Sequence, residues 1–350
     1  MPKRDRSIPG SPYGLGSPTR ALGNLVRWGS SKAFNVKPQS LTVDISAAPE
    51  ESFYGVAPTT PLTKAMRTRR MSQQMHIEDI STAFARQASI MDRAIEAVRQ
   101  LPKPRSGPNP ATLPEPHIVG PSPRCKHVAS VVVLHGFTCD GEMLAGELIP
   151  PLQSRLKPKQ FGGIRFVFLT APLRAVSCYG TKEEHAWHDY FTDHGGAEGR
   201  PDIEETVDVG QLEWSAAQVH AAMDAEAKLL GGDYSRVGVI GQSQGSCTAL
   251  HSVLTHSENA CGVFCSIGQL YSVTPVRPEK KDLQVYTFNG AADDCIACCL
   301  SLRTYSQLLE AGFRHVRMHV QPHAGHEGST DAEVELLCEA LESWGLLKAP

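Results

Sequence analysis

Six short runs of mainly apolar residues recur along the last two thirds of the chain, and segments with helical spacing separate them. The runs are continuous rather than alternating, which is typical of strands buried on both faces of a sheet. They cover residues 128–134, 163–169, 236–240, 262–268, 283–288 and 315–320. The segments between them predict helices over about 142–156, 211–231, 246–254, 299–311 and 330–344.

Strands that alternate with helices in this way predict an α/β domain whose sheet is doubly wound and mostly parallel. The pattern places this domain at residues 125–350, with a long irregular segment at 175–210. A hydrophobic content of 41% in 350 residues allows a sizeable core. No apolar run approaches the length of a membrane span, so we expect no transmembrane helix.

The N-terminal third of the chain has a different pattern. Residues 1–75 carry clusters of Pro, Gly, Ser and Thr and predict a largely disordered basic tail. The first 43 residues contain one acid, Asp5, which fits either an organelle-targeting segment or an ordinary basic tail. Residues 76–101 predict an amphipathic helix that docks on its own domain, is only marginally stable, or contacts a membrane surface or a partner. Residues 102–124 predict a Pro-rich linker.

Charge divides along the same boundary. Residues 1–125 hold 17 basic and 9 acidic side chains, a net charge of +8, whereas the remainder holds 17 and 28, a net charge of −11. An acidic domain argues against nucleic acid as a partner. Ten scattered cysteines without a secretory leader indicate reduced thiols. We therefore expect an intracellular, cytoplasmic protein, with organelle targeting by residues 1–43 as the alternative.

The motif Gly241-Gln242-Ser243-Gln244-Gly245 lies between a predicted strand and a predicted helix. Strand, G-x-S-x-G and helix together are the context of a nucleophile elbow, in which a sharp turn exposes a serine hydroxyl above the sheet. A side chain at either glycine would collide with the neighbouring strand or helix. Ser243 is therefore the candidate nucleophile, and the alternative is a strand-to-helix turn that happens to contain serine.

A serine hydroxyl needs a base, and the base needs a carboxylate that holds its tautomer. In α/β-hydrolases these residues follow the serine in the order acid, then histidine, at the ends of later strands. Asp293 and Asp294 follow one predicted strand, and His323 and His326 follow the next. Turn chemistry explains either aspartate alone, and a solvent-facing loop explains either histidine alone.

Acyl transfer also needs backbone N–H donors that stabilise an oxyanion. The residue after the nucleophile, Gln244, is expected to supply one donor. Phe137, in the loop after the first strand of the domain, is expected to supply the other. The alternative role for that loop is an ordinary turn.

Residues 128–345 resemble the phospholipase/carboxylesterase family of α/β-hydrolases, which includes the acyl-protein thioesterases. The matching residues are Leu134-His135-Gly136 with Asp140-Gly141, Ala171-Pro172 with Trp187, the 241–245 motif, Gly290-Ala291-Ala292-Asp293, and Gly325-His326. The resemblance implies an α/β-hydrolase fold, selects Asp293 as the acid and selects His326 as the base. This chain differs from the family pattern at Asp294, where the family has Pro, and at Ser246, where it has a second Gly.

The resemblance further implies hydrolysis of carboxyl esters or acyl thioesters by Ser243, Asp293 and His326, without a cofactor. The substrate would be a small acyl ester or an acylated protein. The alternative is a non-catalytic hydrolase-fold protein that binds a small ligand or a protein partner. The sequence leaves the leaving group, the acyl length and the oligomeric state open.

Three further groups of residues are interpreted as structural rather than as metal-binding or catalytic. Residues 295–299 hold three cysteines, but no second Cys or His cluster of matching spacing accompanies them, so we expect no metal there. His185 and His188 have no third ligand nearby in sequence, so we expect no metal there either. His135 is expected to be a structural loop residue.

Overall fold

Eight strands pair into one sheet in the computed structural model, which describes residues 41–44, 107–180, 183–192 and 200–347. The described strands are β1 (Leu41–Asp44), β2 (His117–Val119), β3 (Ala129–Leu134), β4 (Ile164–Leu169), β5 (Leu173–Ala175), β6 (Glu183–His185), β7 (Val237–Gln242), β8 (Gly262–Ser266), β9 (Gln284–Gly290) and β10 (His315–Gln321). The sheet order is β1-β10-β9-β8-β7-β3-β4-β2, and β5 pairs with β6 in a separate hairpin.

The six inner strands are parallel, as predicted. β3 pairs with β4 on one side and β7 on the other, so that Val132 lies opposite both Val167 and Val239. All six residues of β3 and all five of β8 are buried. The continuous apolar runs therefore mark strands covered on both faces. Each observed inner strand lies within two residues of its predicted bounds.

Six α-helices cover the two faces of the sheet in the described part of the chain. They are α1 (Gly141–Arg155), α2 (Pro158–Phe161), α3 (Val209–Leu229), α4 (Gln244–Thr255), α5 (Cys298–Glu310) and α6 (Asp331–Ser343). Leu144 of α1 and Leu341 of α6 belong to one core cluster. Met223 of α3, Leu250 of α4 and Leu308 of α5 belong to the other. The doubly wound arrangement is confirmed, and none of these helices has both the length and the hydrophobicity of a membrane span.

The edges of the sheet differ from the prediction. β2 lies within the predicted 102–124 linker and pairs antiparallel with β4. Before it, Asn109 accepts a hydrogen bond of 2.9 Å from Arg174. The folded domain therefore begins before residue 125. A fragment starting near Arg124 would lack β2, the edge strand that pairs with β4.

The other edge strand comes from the predicted disordered tail. β1 pairs antiparallel with β10, with Leu41 opposite Val320 and Asp44 opposite Arg317. Both edge strands are too short to show a periodicity, and their partners are distant in sequence, so the pattern could not reveal them. The predicted helix at 76–101 and the rest of residues 1–75 lie outside the described residues.

A buried carboxyl closes the N-terminal end of α6. Thr330 Oγ1 accepts a hydrogen bond of 3.2 Å from the backbone N–H of Glu333, and the Glu333 side chain is buried. Burial raises the pKa of Glu333 from 4.5 to about 7, and the nearby Ser266 side chain and the backbone at Ser329 and Thr330 oppose part of this rise. Glu333 therefore holds its proton more tightly in the folded chain than in the unfolded chain.

This pKa predicts a loss of stability with rising pH. Because the folded state binds the proton more tightly, the free energy of unfolding should fall as pH rises from about 4.5 to about 7. At about 1.4 kcal/mol per pKa unit, the loss is about 3 kcal/mol. Glu333→Gln should flatten this dependence and make the variant more stable than the wild type above pH 7. Urea unfolding between pH 5 and pH 8 measures it.

Glu335 provides the matched control, because it lies two residues later on α6 with its side chain exposed. Glu335→Gln should leave the pH profile of the unfolding free energy unchanged. Equal slopes for the wild type and Glu333→Gln would show that the buried carboxyl does not control the profile.

Candidate active site

Ser243 occupies a sharp turn between β7 and α4. It is the single residue between the two elements, and its backbone has φ of 52° and ψ of −120°. A positive φ is strained for a residue with a β-carbon. The N–H of Ser243 donates a 2.9 Å hydrogen bond to the carbonyl of Ser266, which holds the turn against the end of β8. The strand–turn–helix context predicted for this motif is present.

The two glycines of the motif lack side chains for a steric reason. A β-carbon on Gly241 would overlap the backbone of Gly245 at the start of the helix. A β-carbon on Gly245 would overlap the carbonyl groups of Leu134 and His135 at the end of β3. The predicted collisions with strand and helix are therefore confirmed.

Three side chains form a continuous row of hydrogen bonds. Ser243 Oγ lies 2.8 Å from His326 Nε2, and His326 Nδ1 lies 2.8 Å from Asp293 Oδ2. A carboxylate only accepts, so the proton of the neutral imidazole sits on Nδ1 and Nε2 is free to accept the serine proton. The Asp293 side chain is 1% exposed and that of His326 is 19% exposed. The structure thus brings together the serine, histidine and aspartate that the sequence selected.

Asp293 is fixed by its second oxygen. Its Oδ1 accepts hydrogen bonds from the backbone N–H groups of Cys295, at 2.9 Å, and Ile296, at 2.8 Å. Asp294 and His323, the alternatives in the same two loops, are both exposed. Asp293 therefore faces the histidine while its neighbour faces solvent.

The loop after β3 lies directly beside the serine. A β-carbon on Gly136 would be 3.3 Å from Cβ of Ser243. The next residue, Phe137, stacks its ring on Tyr179 at a centroid distance of 5.4 Å. Gln244 opens α4, and the first N–H groups of a helix have no partner within the helix. The two predicted oxyanion donors, Phe137 and Gln244, thus belong to backbone segments that flank Ser243, and their role stays a prediction.

His135 has a structural role, as expected from the sequence. The N–H of Ala171 donates to its Nε2 at 2.9 Å, so its proton sits on Nδ1, which donates to the carbonyl of Gly136 at 2.6 Å. Burial lowers the pKa of His135 to about 4. The ring is therefore neutral, and it uses both nitrogens to join the end of β3 to the loop after β4.

The side chains of Gln242 and Gln244, to which the sequence analysis gave no role, support the elbow. Gln244 is fully buried; its Oε1 accepts from the N–H of Trp187 at 2.8 Å, and its Nε2 donates to the carbonyl of His188 at 2.9 Å. The side chain of Gln242 packs over Gly328, where a β-carbon would overlap its amide. Gln244 thereby fastens the 187–188 segment to the elbow, and Gln242 contacts the loop that follows His326. Their position inside the motif was the only available signal.

One group of side chains in the described residues has ligand atoms close enough for a metal ion. It comprises Asp293, Cys295 and His326, whose ligand atoms lie within 4.8 Å of one another. The sequence pattern missed this group because the second and third ligands come from the triad rather than from a Cys or His cluster. Burial, together with the charges of Asp293 and Asp294, raises the pKa of the Cys295 thiol to about 12. The thiol is therefore neutral near pH 7.

Comparisons with known proteins agree on one family. Residues 116–344 match the sequence model of the phospholipase/carboxylesterase family. Lysophospholipase-like protein 1 of Mus musculus is 27% identical over 237 residues, which is 65% of this chain and 90% of the mouse protein. Acyl-protein thioesterase 1 homolog 2 of Dictyostelium discoideum is 22% identical over 221 residues, which is 62% of this chain and 93% of that protein.

Solved structures agree on the fold. The crystal structure of Zea mays acyl-protein thioesterase 2 is similar with a TM-score of 0.53 at 23% identity, covering 67% of this chain and 99% of the maize chain. Arabidopsis thaliana SOBER1 gives a TM-score of 0.53 at 20% identity and covers 63% of this chain. The predicted α/β-hydrolase fold is therefore confirmed.

Proposed function

We propose that this chain, which belongs to the phospholipase/carboxylesterase family, is a serine hydrolase that cleaves acyl esters or thioesters through an acyl-enzyme. The observation that carries the proposal is the unbroken row of hydrogen bonds from Ser243 through His326 to Asp293. Such a row turns a weakly nucleophilic hydroxyl into one that can lose its proton as it attacks.

In the first half of the reaction, Ser243 Oγ attacks the carbonyl carbon of the substrate and its proton passes to Nε2 of His326. The imidazole then carries a positive charge, which the buried carboxylate of Asp293 stabilises through Nδ1. The oxyanion that forms would accept hydrogen bonds from the N–H groups of Phe137 and Gln244. Collapse of this intermediate breaks the bond to the leaving group, which takes the proton from His326.

In the second half, water replaces the leaving group. His326 takes a proton from water as its oxygen attacks the acyl carbon, and then returns that proton to Ser243 Oγ as the acid leaves. Each half uses the same base, the same oxyanion donors and the same acyl carbon. The enzyme thus returns to its starting state with one ester or thioester bond hydrolysed.

The names of the relatives, rather than the triad, support two classes of leaving group. Relatives named as lysophospholipase-like and acyl-protein thioesterase support an oxygen ester of a lipid and a thioester of a protein, respectively. Both present the same acyl carbon to Ser243. A thiolate is the better leaving group because a thiol has a pKa near 8.5, far below that of an alcohol. Thioester cleavage would therefore depend less on protonation by His326.

A fluorophosphonate probe tests the nucleophile. The full-length protein should gain one phosphonyl group, carried by the tryptic peptide that contains Ser243, as measured by mass spectrometry. Denatured protein is the control and should not react, because a serine without its base is unreactive. Absence of labelling, or labelling at another residue, would favour the alternative of a non-catalytic protein that binds a ligand or partner.

A matched pair of substrates tests the substrate class. An oxygen ester and a thioester of the same acyl chain should both be hydrolysed at rates that saturate with substrate. If unlabelled, folded enzyme from a preparation whose Ser243 reacts with the probe hydrolyses neither substrate, the proposed substrate class is wrong while the nucleophile assignment survives.

A further inference from the structure

Cys295 lies in the same loop as Asp293, the aspartate that is hydrogen-bonded to His326. Its backbone N–H donates to Asp293, and its Sγ lies within 4.8 Å of ligand atoms of Asp293 and His326. Donor atoms around a tetrahedral zinc ion with bonds of about 2.0 to 2.3 Å are themselves about 3.3 to 3.8 Å apart. The Cys295 sulfur therefore needs to approach by at most about 1 Å to share one ion, while the 2.8 Å between His326 Nδ1 and Asp293 Oδ2 has to open slightly.

The donor set narrows the identity of the ion. A thiolate, an imidazole nitrogen and a carboxylate oxygen are ligands of zinc, whereas magnesium and calcium take oxygen ligands. Cys295 and His326 are partly exposed, so an ion can enter from solvent, while buried Asp293 forms the inner wall. The exposed carboxylate of Asp294, 3.9 Å from the Cys295 thiol, adds negative charge at the entrance.

We propose that Zn²⁺ binds reversibly to Cys295 Sγ, the Asp293 carboxylate and the His326 imidazole, and that it inhibits the enzyme by occupying the catalytic histidine. Binding forms bonds from the metal to sulfur, oxygen and nitrogen, and it releases the thiol proton to solvent. No electron is transferred. Water fills the remaining position of the tetrahedron.

Inhibition follows whichever ring nitrogen the ion takes. Coordination at Nε2 occupies the lone pair that would accept the Ser243 proton. Coordination at Nδ1 displaces the hydrogen bond to Asp293 and puts the ring proton on Nε2, which then cannot act as a base. The inhibitory part of the inference rests on the proposed function, whereas metal binding itself does not require that function.

The cluster is specific to one of three neighbouring cysteines. Cys298 and Cys299 belong to the same run but do not belong to the three-ligand group. Cys295→Ser and Cys295→Ala remove the thiolate, while Cys299→Ser removes a thiol four residues away and serves as the matched control. The backbone N–H of residue 295 still reaches Asp293 in each of these variants.

Cobalt absorption measures binding without any assay of activity. Co²⁺ titrated into the full-length Ser243→Ala protein should produce a near-ultraviolet thiolate-to-cobalt absorption band that saturates at one equivalent of Co²⁺. The band should disappear when Zn²⁺ displaces the Co²⁺ or when a chelator removes it. Adding Cys295→Ser or Cys295→Ala should abolish the absorption, and adding Cys299→Ser should preserve it. If the band survives both changes at residue 295, or never forms, the metal site is wrong whatever the protein hydrolyses.

Zinc inhibition is measured separately, with each variant compared with its own metal-free rate. The concentration of Zn²⁺ that halves ester hydrolysis should rise at least 10- to 100-fold in Cys295→Ser, since loss of even an outer partner of a metal costs that much affinity. It should stay constant in Cys299→Ser, and a chelator should restore the activity. An unchanged inhibitory concentration in Cys295→Ser would overturn the inhibitory site.

Discussion

Replacing Ser243 with alanine is expected to lower kcat for hydrolysis of a small p-nitrophenyl ester by about 10⁶-fold, as in the comparable knockout of a serine protease. The physical reason is that no other group can attack the acyl carbon once Oγ is gone. His326 and Asp293 would remain hydrogen-bonded to each other, yet a base without a nucleophile leaves only the contribution of oxyanion stabilisation and binding. Steady-state kinetics on purified protein measure the loss.

Ser246 is the matched control for this substitution. It lies three residues after Ser243, is buried in α4 and takes no part in the row of hydrogen bonds. Ser246→Ala should keep kcat within a few fold of the wild type. Circular dichroism should show both variants folded, since alanine meets the same backbone strain as serine at residue 243. Hydrolysis that persists in folded Ser243→Ala would mean that another residue is the nucleophile.

The parts of the fold that sequence analysis predicted best are those in which the local pattern and the tertiary environment agree. A strand such as β3 is covered on both faces, so its burial appears directly as a continuous apolar run. Each parallel strand ends at the same edge of the sheet, so residues following β7, β9 and β10 were expected to meet there. That expectation depends on topology alone and did not need the side-chain geometry.

The choice between adjacent residues needed more than topology. Spacing within the loops left Asp293 and Asp294 equivalent, and only the resemblance to a family selected Asp293. The structure supplies a physical reason, because the backbone N–H groups of Cys295 and Ile296 turn Asp293 inward while Asp294 stays exposed. Such backbone donors are not visible in a pattern of residue types.

Contacts between distant segments were missed for the same reason. β2 occupies three residues in a Pro-rich stretch, and its pairing with β4 joins segments about 50 residues apart. The side chain of Gln244 reaches Trp187, 57 residues earlier in the chain. The Cys295 thiol meets His326 only because two successive loops converge at the sheet edge. The periodicity of apolar residues indicates which positions are buried. These contacts depend instead on which buried or edge groups lie next to each other in the folded chain.

Replacing Asp293 with asparagine should lower kcat by about 10⁴-fold, the loss that follows when a triad aspartate becomes an amide. Asparagine can still accept the N–H groups of Cys295 and Ile296 through its oxygen, so its amide nitrogen would face His326. That nitrogen donates a hydrogen bond, which favours a ring proton on Nε2 instead of Nδ1. The histidine would then donate to Ser243 and could not accept its proton.

Asp294→Asn is the paired measurement, because it makes the same chemical change one residue away on an exposed side chain. It removes one charge from the loop without touching the hydrogen bonds of Asp293, so kcat for the same ester should change by no more than a few fold. Nearly equal losses of kcat in the two variants would indicate that an amide at either position disturbs the loop, and that no single carboxylate orients the histidine. A larger loss at residue 294 would mean that the loop register differs by one residue while the serine and histidine keep their roles.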